Sequence, residues 1–391
     1  MNEQEPTGER KGGVEDGLNR LPAATVRKLK AGQVITSPSS IIKELIENAL
    51  DAKADNIEIV VRNLDLFEVR DNGRGIPRGQ LTMCGLPHCT SKISSYTSLN
   101  SLRTFGFRGE ALASICDVCA RIEIRSRTGG ETYGSLLTIT ATGRVLQPEP
   151  LPSFTVGTKI SIFGVFSKLI VRRKVWAAKL KAEWRRIRKT VTSYSLMNPS
   201  VRFMLSILDH SPYIKHACST VEESMMQVWG SAVSKQMMSL ESTSGRIKIQ
   251  AVIPALPSDP AITTKTSNEH FYVFLNRRPI DHAAFSNPVH SAVRTFFKTA
   301  RKRFALGVLH VQLPPKQFDV NVTPDKRKIF FHNEEAIIEV ITRLVTDHYA
   351  ARNGGDGDPE EESEQGQNQG AENGDDQDGG NQAVEEREGR G

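Results

Sequence analysis

The stretch Ser37–Ala52 limits the architecture more than any other part of the chain. Ser37 followed by Pro38 marks a helix start, because the first helical position has no intrahelical use for the N–H that proline lacks. From there Ile41, Ile42, Leu45, Ile46, Ala49 and Leu50 recur at helical spacing as an apolar stripe. Glu44, Asn48 and Asp51 form a second, polar stripe at i, i+4 and i+7. Such a helix must bury one face while holding a row of polar side chains on another. Strand and helix patterns alternate after it, so the body is α/β or α+β. Strands are predicted at 57–61, 66–70, 122–125, 136–140 and 159–163. A helix is predicted from about 177 to 196, with Leu180, Trp184, Ile187, Val191 and Tyr194 as its core stripe. Beyond Pro199, strands are expected at 247–253, 271–275, 305–313 and 320–322, and a helix at 288–300. A last helix is capped by Asn333.

Charge is segregated along the 391 residues. Residues 351–391 hold thirteen acids and three arginines, a net −10; with +6 for the whole chain, residues 1–350 carry +16. A body this basic suits a polyanionic partner, although charge for solubility alone is the other reading. Residues 1–20 and the Gly-, Glu- and Asn-rich tail cannot bury enough apolar area to offset chain entropy and are expected to be disordered. Apolar residues make up 38% and nowhere run for about 18 residues, so no membrane partner is expected. The polar N-terminus has no apolar core of a secretory signal. The cysteines Cys84, Cys89, Cys116, Cys119 and Cys218 are odd in number, which argues for a reducing compartment and free thiols. Cys116 and Cys119 have the spacing of half a zinc site but lack a second pair, and are read as buried thiols.

Three short motifs carry chemistry. Glu44 and Asn48 lie one turn apart on one helix face. A carboxylate there can take a proton from water, and an amide oxygen can bind Mg²⁺, a hard cation. Alone, the pair reads as a solvated polar face, and only the motifs that follow reverse this. Asp71 ends a strand ahead of Gly73 and Gly75. It can accept from the exocyclic amine of adenine while the glycines let the backbone pass close; a surface hairpin is the bland alternative. Gly106-Phe107-Arg108-Gly109 precedes an Ala- and Leu-rich helical stretch, whose free N–H groups would cradle phosphates. Thr90-Ser91-Lys92 opens a long polar connection to Arg103, suited to a lid. No Gly-x4-Gly-Lys-Ser/Thr phosphate loop occurs.

In this order and spacing the motifs resemble the nucleotide site of the gyrase, chaperone, histidine-kinase and MutL superfamily. Thr90-Ser91-Lys92-Ile93, Gly106 through Leu112, Gly157-Thr158 and the run Asp319 through Lys326 together resemble the MutL family of mismatch-repair proteins. Leu21 through Val26 and Thr323-Pro324-Asp325-Lys326 are similar to its eukaryotic post-meiotic-segregation branch. The resemblance covers about residues 21–348. It implies an α+β chain: a two-layer α/β sandwich ATPase domain over 21–218, then a ribosomal-S5-like α/β transducer domain over 219–350. Between them the boundary is placed where Ser and Thr cluster, around 215–225. It further implies ATP and Mg²⁺ as cofactors, with Glu44 as general base, Asn48 as metal ligand and Asp71, Gly75 and Thr158 around adenine. Thr90, Ser91, Lys92, Gly106, Phe107, Arg108, Gly109, Glu110, Ala111 and Leu112 would hold phosphates and the closed lid, and Lys326 would reach the γ-phosphate. Nuclear localisation, mismatch-recognition proteins and a second MutL-family subunit as heterodimer partner follow from the same likeness. Lys53 departs from the pattern, since glycine commonly follows Leu-Asp-Ala there, and a different helix end is expected. The family's C-terminal dimerisation domain and the Asp-Gln-His-Ala-x2-Glu endonuclease motif are not found, so this chain alone is not expected to cut DNA.

DNA is the expected polyanion. Ten basic residues lie between 168 and 189, opposed only by Glu183; they include Arg172, Arg173, Lys174, Arg185, Arg186, Arg188 and Lys189. Lys298, Arg301, Lys302 and Arg303 form a second cluster. Either is also a possible solvated helix face; together they favour contact with the DNA backbone, without base reading. Two functions fit: a slow, DNA-stimulated ATPase whose closure changes its grip on DNA, or a nucleotide-switched DNA-binding scaffold with negligible turnover. A sensor kinase lacks its phosphoacceptor helix here, and a type II topoisomerase its breakage domain. ATP is expected to order the segments 21–33 and 83–103, with Leu86, Ile93 and Leu99 on a surface for dimerisation.

Overall fold

The computed structural model describes residues 21–90, 92, 104–106, 109–140, 142–299, 302–319 and 329–353. Ser91, Ile93, Leu99, Phe107, Arg108, Arg301, the strand expected at 320–322, Lys326, residues 1–20 and residues 354–391 lie outside these residues; residues 351–353, expected to be disordered, instead finish the last helix.

Eight strands build the first sheet: β1 (Asn56–Arg62), β2 (Leu66–Asp71), β3 (Arg121–Arg127), β4 (Gly134–Ile139), β5 (Glu149–Leu151), β6 (Gly157–Phe163), β7 (Arg202–Ile207) and β8 (Tyr213–Lys215). Their order is β5-β4-β3-β6-β2-β1-β7-β8. All neighbours are antiparallel except β1 and β7, which run parallel from Asn56 opposite Arg202. Burial alternates along β1, β2 and β3, because one face is covered by helices and the other meets solvent. On the open face Lys159 pairs with Glu68 at 2.9 Å and Arg125 with Glu123 at 2.7 Å. The covering helices are α1 (Ala23–Val34), α2 (Pro38–Asp51), the single turn α3 (Arg78–Leu81), α4 (Ala111–Val118), α5 (Ile170–Ala178) and α6 (Leu180–Met197). Ile41, Ile42, Leu45 and Ile46 of α2 share a core with Ile187 and Val191 of α6 and with Ile57, Ile59 and Phe67 of the sheet.

A second sheet follows after α7 (Val221–Trp229) and the turn α8 (Ser231–Ser234). Its elements are β9 (Met237–Ser244), β10 (Ile247–Pro254), α9 (Pro260–Thr263), β11 (Thr264–Lys265), β12 (Phe271–Leu275), β13 (Arg278–Ile280), α10 (Ala283–Phe296), β14 (Phe304–Ala305), β15 (Gly307–Gln312) and α11 (Glu334–Asn353). The order is β13-β12-β15-β10-β9, with β11 and β14 paired separately. Residues Phe271, Val273 and Leu275 of β12 face α10 and α11, while Tyr272 and Phe274 pack with Leu196, Met197 and Met225. Cover on both faces is why Phe-Tyr-Val-Phe-Leu is uninterrupted by polar residues.

Two helices differ from expectation. The helix predicted from about 177 to 196 is α6, starting at Leu180, and a further helix, α5, which was not predicted, precedes it; Lys179 between them leaves the helical region (φ −110°, ψ 16°). No Gly or Pro marks that break. The helix predicted at 288–300 begins five residues earlier, at Ala283, with Pro288 inside it. There the proline removes one intrahelical bond, a loss the buried Phe285, Val289 and Val293 offset. The last helix starts as expected, with Asn333 Oδ1 accepting from Ala336 N at 3.1 Å. All five cysteines are free, and burial pushes the Cys116 and Cys119 thiols up to about 12. Among the described residues no helix is long and apolar enough to cross a membrane.

Candidate nucleotide site

The site is built around α2. Ser37 caps it through a reciprocal pair, Ser37 Oγ accepting from Ser40 N and Ser40 Oγ from Ser37 N. Ser39 N donates to Glu183 Oε1 of α6 at 2.7 Å, so a wholly buried carboxylate sits on the positive end of the helix. At the far end Ala52 is the C-cap and Lys53 takes φ +64°, the left-handed conformation a glycine takes without strain. With its apolar stripe on the sheet, α2 turns Glu44, Asn48 and Asp51 into a cleft of about 690 Å³.

The cleft joins most of the residues the motifs singled out. Glu44, Asn48, Asp71, Gly75, Thr90, Lys92, Gly106, Gly109, Glu110, Ala111, Leu112 and Thr158 all line it. Asp71, the last residue of β2, pairs with Thr158 of β6. Its Oδ1 accepts from Gly73 N at 2.9 Å. Burial pushes the Asp71 carboxyl up to about 6, against the pull of backbone donors at Gly73 and Thr158. Thr158 Oγ1 lies 3.0 Å from Ser126 Oγ, which accepts from Ile76 N at 2.8 Å and so fixes the loop after Gly75. At Gly75, φ is +75° and a Cβ would lie 2.1 Å from the Arg127 carbonyl oxygen. Gly109 is as constrained: φ is +63°, and a Cβ would meet the Cys89 carbonyl oxygen at 2.6 Å.

Asp51 is the hub the motifs did not single out. Its carboxylate accepts from Lys92 Nζ at 2.6 Å, Phe105 N at 2.9 Å and Gly106 N at 3.0 Å. It therefore ties the loop before α4 to the end of α2. Position i+7 on the polar stripe was the only signal for it. Lys92 Nζ also donates to Asn48 Oδ1 at 2.8 Å. A cation thus already rests on the amide oxygen expected to bind Mg²⁺. Hard oxygen donors beside an anionic carboxylate suit that ion. Among the described residues no group of three or more His, Cys, Asp and Glu could hold a metal.

A second layer lies under α2. Lys43 Nζ is 3.0 Å from Glu44 Oε1 and 3.0 Å from Glu47 Oε1. Burial lowers the pKa of this ammonium, but Glu44 and Glu47 outweigh it and leave it above the ordinary value. Glu47 Oε1 also accepts from Tyr194 OH at 2.6 Å and from Arg278 Nη1 of β13 at 3.2 Å. Lys43, Glu47 and Arg278 were invisible to motif reading, since a Lys-Glu pair and a lone arginine are common anywhere.

The basic clusters divide. Arg172 donates to the Gly32 and Ile35 carbonyls at the end of α1, and Arg173 to Leu64, Val165 and Asp65. Arg303 holds the Pro260 and Thr264 carbonyls. Lys174, Arg185, Arg186, Arg188, Lys298 and Lys302 are exposed, and Lys189 is half-buried.

Comparison with known proteins agrees with this geometry. Residues 35–150 match the family described as histidine kinase-, DNA gyrase B- and HSP90-like ATPase, and residues 225–350 match the DNA mismatch repair protein, C-terminal domain. The chain is 32% identical over 339 residues to human PMS1 protein homolog 1, covering 85% of this chain and 36% of that protein. It is 30% identical to DNA mismatch repair protein MutL of Bacteroides fragilis, covering 85% of this chain and 52% of that one. The chain thus spans about half or less of these relatives. Among solved structures, the Aquifex aeolicus MutL ATPase domain complexed with ADP superposes with a TM-score of 0.52 at 25% identity, over 79% of this chain and 96% of that one. The gyrase B-subunit of Myxococcus xanthus shares the fold at a TM-score of 0.51 and 11% identity, over 83% of this chain and 95% of that one. On motifs, fold and relatives together, the chain belongs to the MutL family of DNA mismatch repair proteins and carries that family's ATPase domain.

Proposed function

We propose that this chain binds ATP with Mg²⁺ in the α2 cleft, hydrolyses it slowly, and couples the nucleotide to its grip on DNA during mismatch repair. The observation that carries this is the placement of Glu44 and Asn48 on one face of α2, opening into the cleft that also holds Asp71 and Thr158. Asp71 would accept from the adenine amine. Gly106, Gly109 and the residues beginning α4 would face the phosphates, with Lys92 and Lys326 as their cations. Bound at Asn48, Mg²⁺ would neutralise phosphate charge. Glu44 would take the proton of the attacking water. Lys174, Arg185, Arg186 and Arg188 would contact the DNA backbone, and a second MutL-family subunit and mismatch-recognition proteins would be partners in the nucleus.

Steady-state ATP hydrolysis with and without DNA tests the reading. Glu44→Ala should still bind ATP and turn over about 10²-fold more slowly. Asn48→Ala should weaken Mg²⁺-dependent binding. Wild-type turnover in Glu44→Ala would remove Glu44 as base. One observation favours a nucleotide-switched scaffold with negligible turnover: the Lys43 ammonium stands 3.0 Å from Glu44 Oε1 and engages one of the two oxygens that would meet the water. A rate indistinguishable from uncatalysed hydrolysis, with tight ATP binding, would select the scaffold.

A further inference from the structure

We propose that Arg278 is a positioning residue that ties the placement of the second sheet to the carboxylate of Glu44. It rests on the reading of Glu44 as the general base. Arg278 opens β13, at the edge of the second sheet, yet its guanidinium reaches two parts of the nucleotide site. Nη1 lies 3.2 Å from Glu47 Oε1 on α2, and Nη2 donates to the Phe105 carbonyl at 2.7 Å. The guanidinium carbon also stands 5.4 Å from the centre of the Phe105 ring, which meets Tyr194 edge-on. Phe105 and Gly106 are the residues whose amides bind Asp51. One arginine from the second sheet thus holds the loop before α4 and the underside of α2 together.

From Glu47 the contact continues inward. Glu47 and Glu44 share the ammonium of Lys43, each at 3.0 Å. With Lys43 only 4% exposed, these charges are little screened by water. Two carboxylates and two cations alternate along the chain Arg278, Glu47, Lys43, Glu44. Withdrawing Arg278 leaves two buried carboxylates competing for one ammonium. Glu47 keeps its partners Tyr194 and Lys43, and the hold of Lys43 on Glu44 loosens. Lys43 on Oε1 helps to fix the Glu44 carboxylate, and a looser hold there widens its range of rotamers and degrades the alignment proton transfer needs. The fork geometry requires arginine, since a lysine supplies one point charge and cannot reach both acceptors.

Neighbouring Arg277 provides the control. Its Nη2 donates to the Met197 carbonyl and Asn198 Oδ1, each at 3.2 Å, at the end of α6, away from the acids of α2. It joins the same two parts of the molecule without touching this chain of charges.

The test uses the whole chain. Arg278→Gln, Glu47→Gln, their double variant, Arg278→Lys and Arg277→Gln are compared for kcat, for affinity toward a non-hydrolysable ATP analogue and for melting temperature. Arg278→Gln should lower kcat about ten- to a hundred-fold while analogue affinity changes less than about three-fold. The double variant should be no slower than Arg278→Gln, because removing the Glu47 charge ends its competition for Lys43. Arg278→Lys should recover part of kcat, and Arg277→Gln should leave it near wild type. Additive losses in the double variant, equal effects of Arg277→Gln and Arg278→Gln, or a loss confined to melting temperature would make Arg278 ordinary interface packing and overturn the proposal. Glu44→Ala in the same series separates the two claims. If it is slow while Arg278→Gln is normal, this inference fails and the ATPase reading stands. Wild-type turnover in Glu44→Ala removes both.

Discussion

Asp71 sits where burial and backbone donors oppose each other, and the result is a carboxyl with a pKa of about 6 instead of about 4. Above that pH it is an anion and a good acceptor for an exocyclic amine; below, it carries a proton. ATP affinity should therefore weaken as pH falls through about 6, and Asp71→Asn should flatten the profile. Calorimetric titration from pH 5 to 8 measures this, and a wild-type profile as flat as that of the variant would exclude Asp71 from the adenine site. The sign for stability is the reverse. Between the unfolded value near 4 and the folded value near 6, the unfolded chain binds fewer protons, so this group lowers stability as pH rises through that window and the penalty persists above it. Lys53 shows a milder conflict. Its φ of +64° costs an L-residue energy that a glycine avoids. Lys53→Gly should raise stability by about 0.5–1 kcal/mol in urea denaturation, net of the entropy glycine loses. A destabilised variant would show that the lysine side chain contributes contacts that outweigh its strain.

Helix α2 depends on elements far away in sequence, and this sets what the sequence could disclose. Its start, stripe and cap were legible because each rests on residues within one or two turns. So was Asp71, through the glycines that follow it, whereas Thr158 was marked only by its resemblance to a family motif. The hold of Glu183 on Ser39 was not, since the two are 144 residues apart. In sequence Glu183 is only the one acid among ten bases; in the fold it is wholly buried against the α2 N-terminus. Glu183→Ala should cost about 1–3 kcal/mol, because the half-buried Ser39 N–H loses a charged acceptor. Thermal denaturation measures the loss, and a melting temperature within error of wild type would show that the cost of burying the Glu183 carboxylate cancels what its bond to Ser39 contributes. The basic run hides its division into bonded and exposed residues for the opposite reason. Arg172 and Arg185 look alike in a charge count, and only tertiary contacts show that Arg172 ties α1 while Arg185 faces solvent. Likewise the break at Lys179 has no marker in composition, since neither Gly nor Pro stands there.

For the whole molecule, the exposed bases make a salt-dependent prediction. Reversing Arg185, Arg186 and Arg188 to Glu should weaken binding to all DNA sequences alike, and should flatten the log–log salt slope by about 0.9 per lost phosphate contact. Fluorescence anisotropy from 50 to 200 mM salt checks it, and a preference for one sequence would contradict it. A non-hydrolysable ATP analogue should shift part of the protein from monomer to dimer in sedimentation, using the exposed Leu21, Leu29, Met83 and Leu86. Removing residues 1–33 should abolish the shift, and a mass unchanged at high concentration would show that closure requires another subunit. The parallel pairing of β1 with β7 has a consequence in time. Asn56 meets Arg202, so β1, in the middle of the first sheet, lacks one neighbour until the ribosome has made 146 further residues. At roughly 5–20 residues per second that is on the order of ten seconds or more. Through that interval the edge of β1, apolar at Ile57, Ile59 and Val61, is an unpaired template for other nascent chains. Translation of this mRNA is therefore the moment at which holdase chaperones matter most to the yield of active protein.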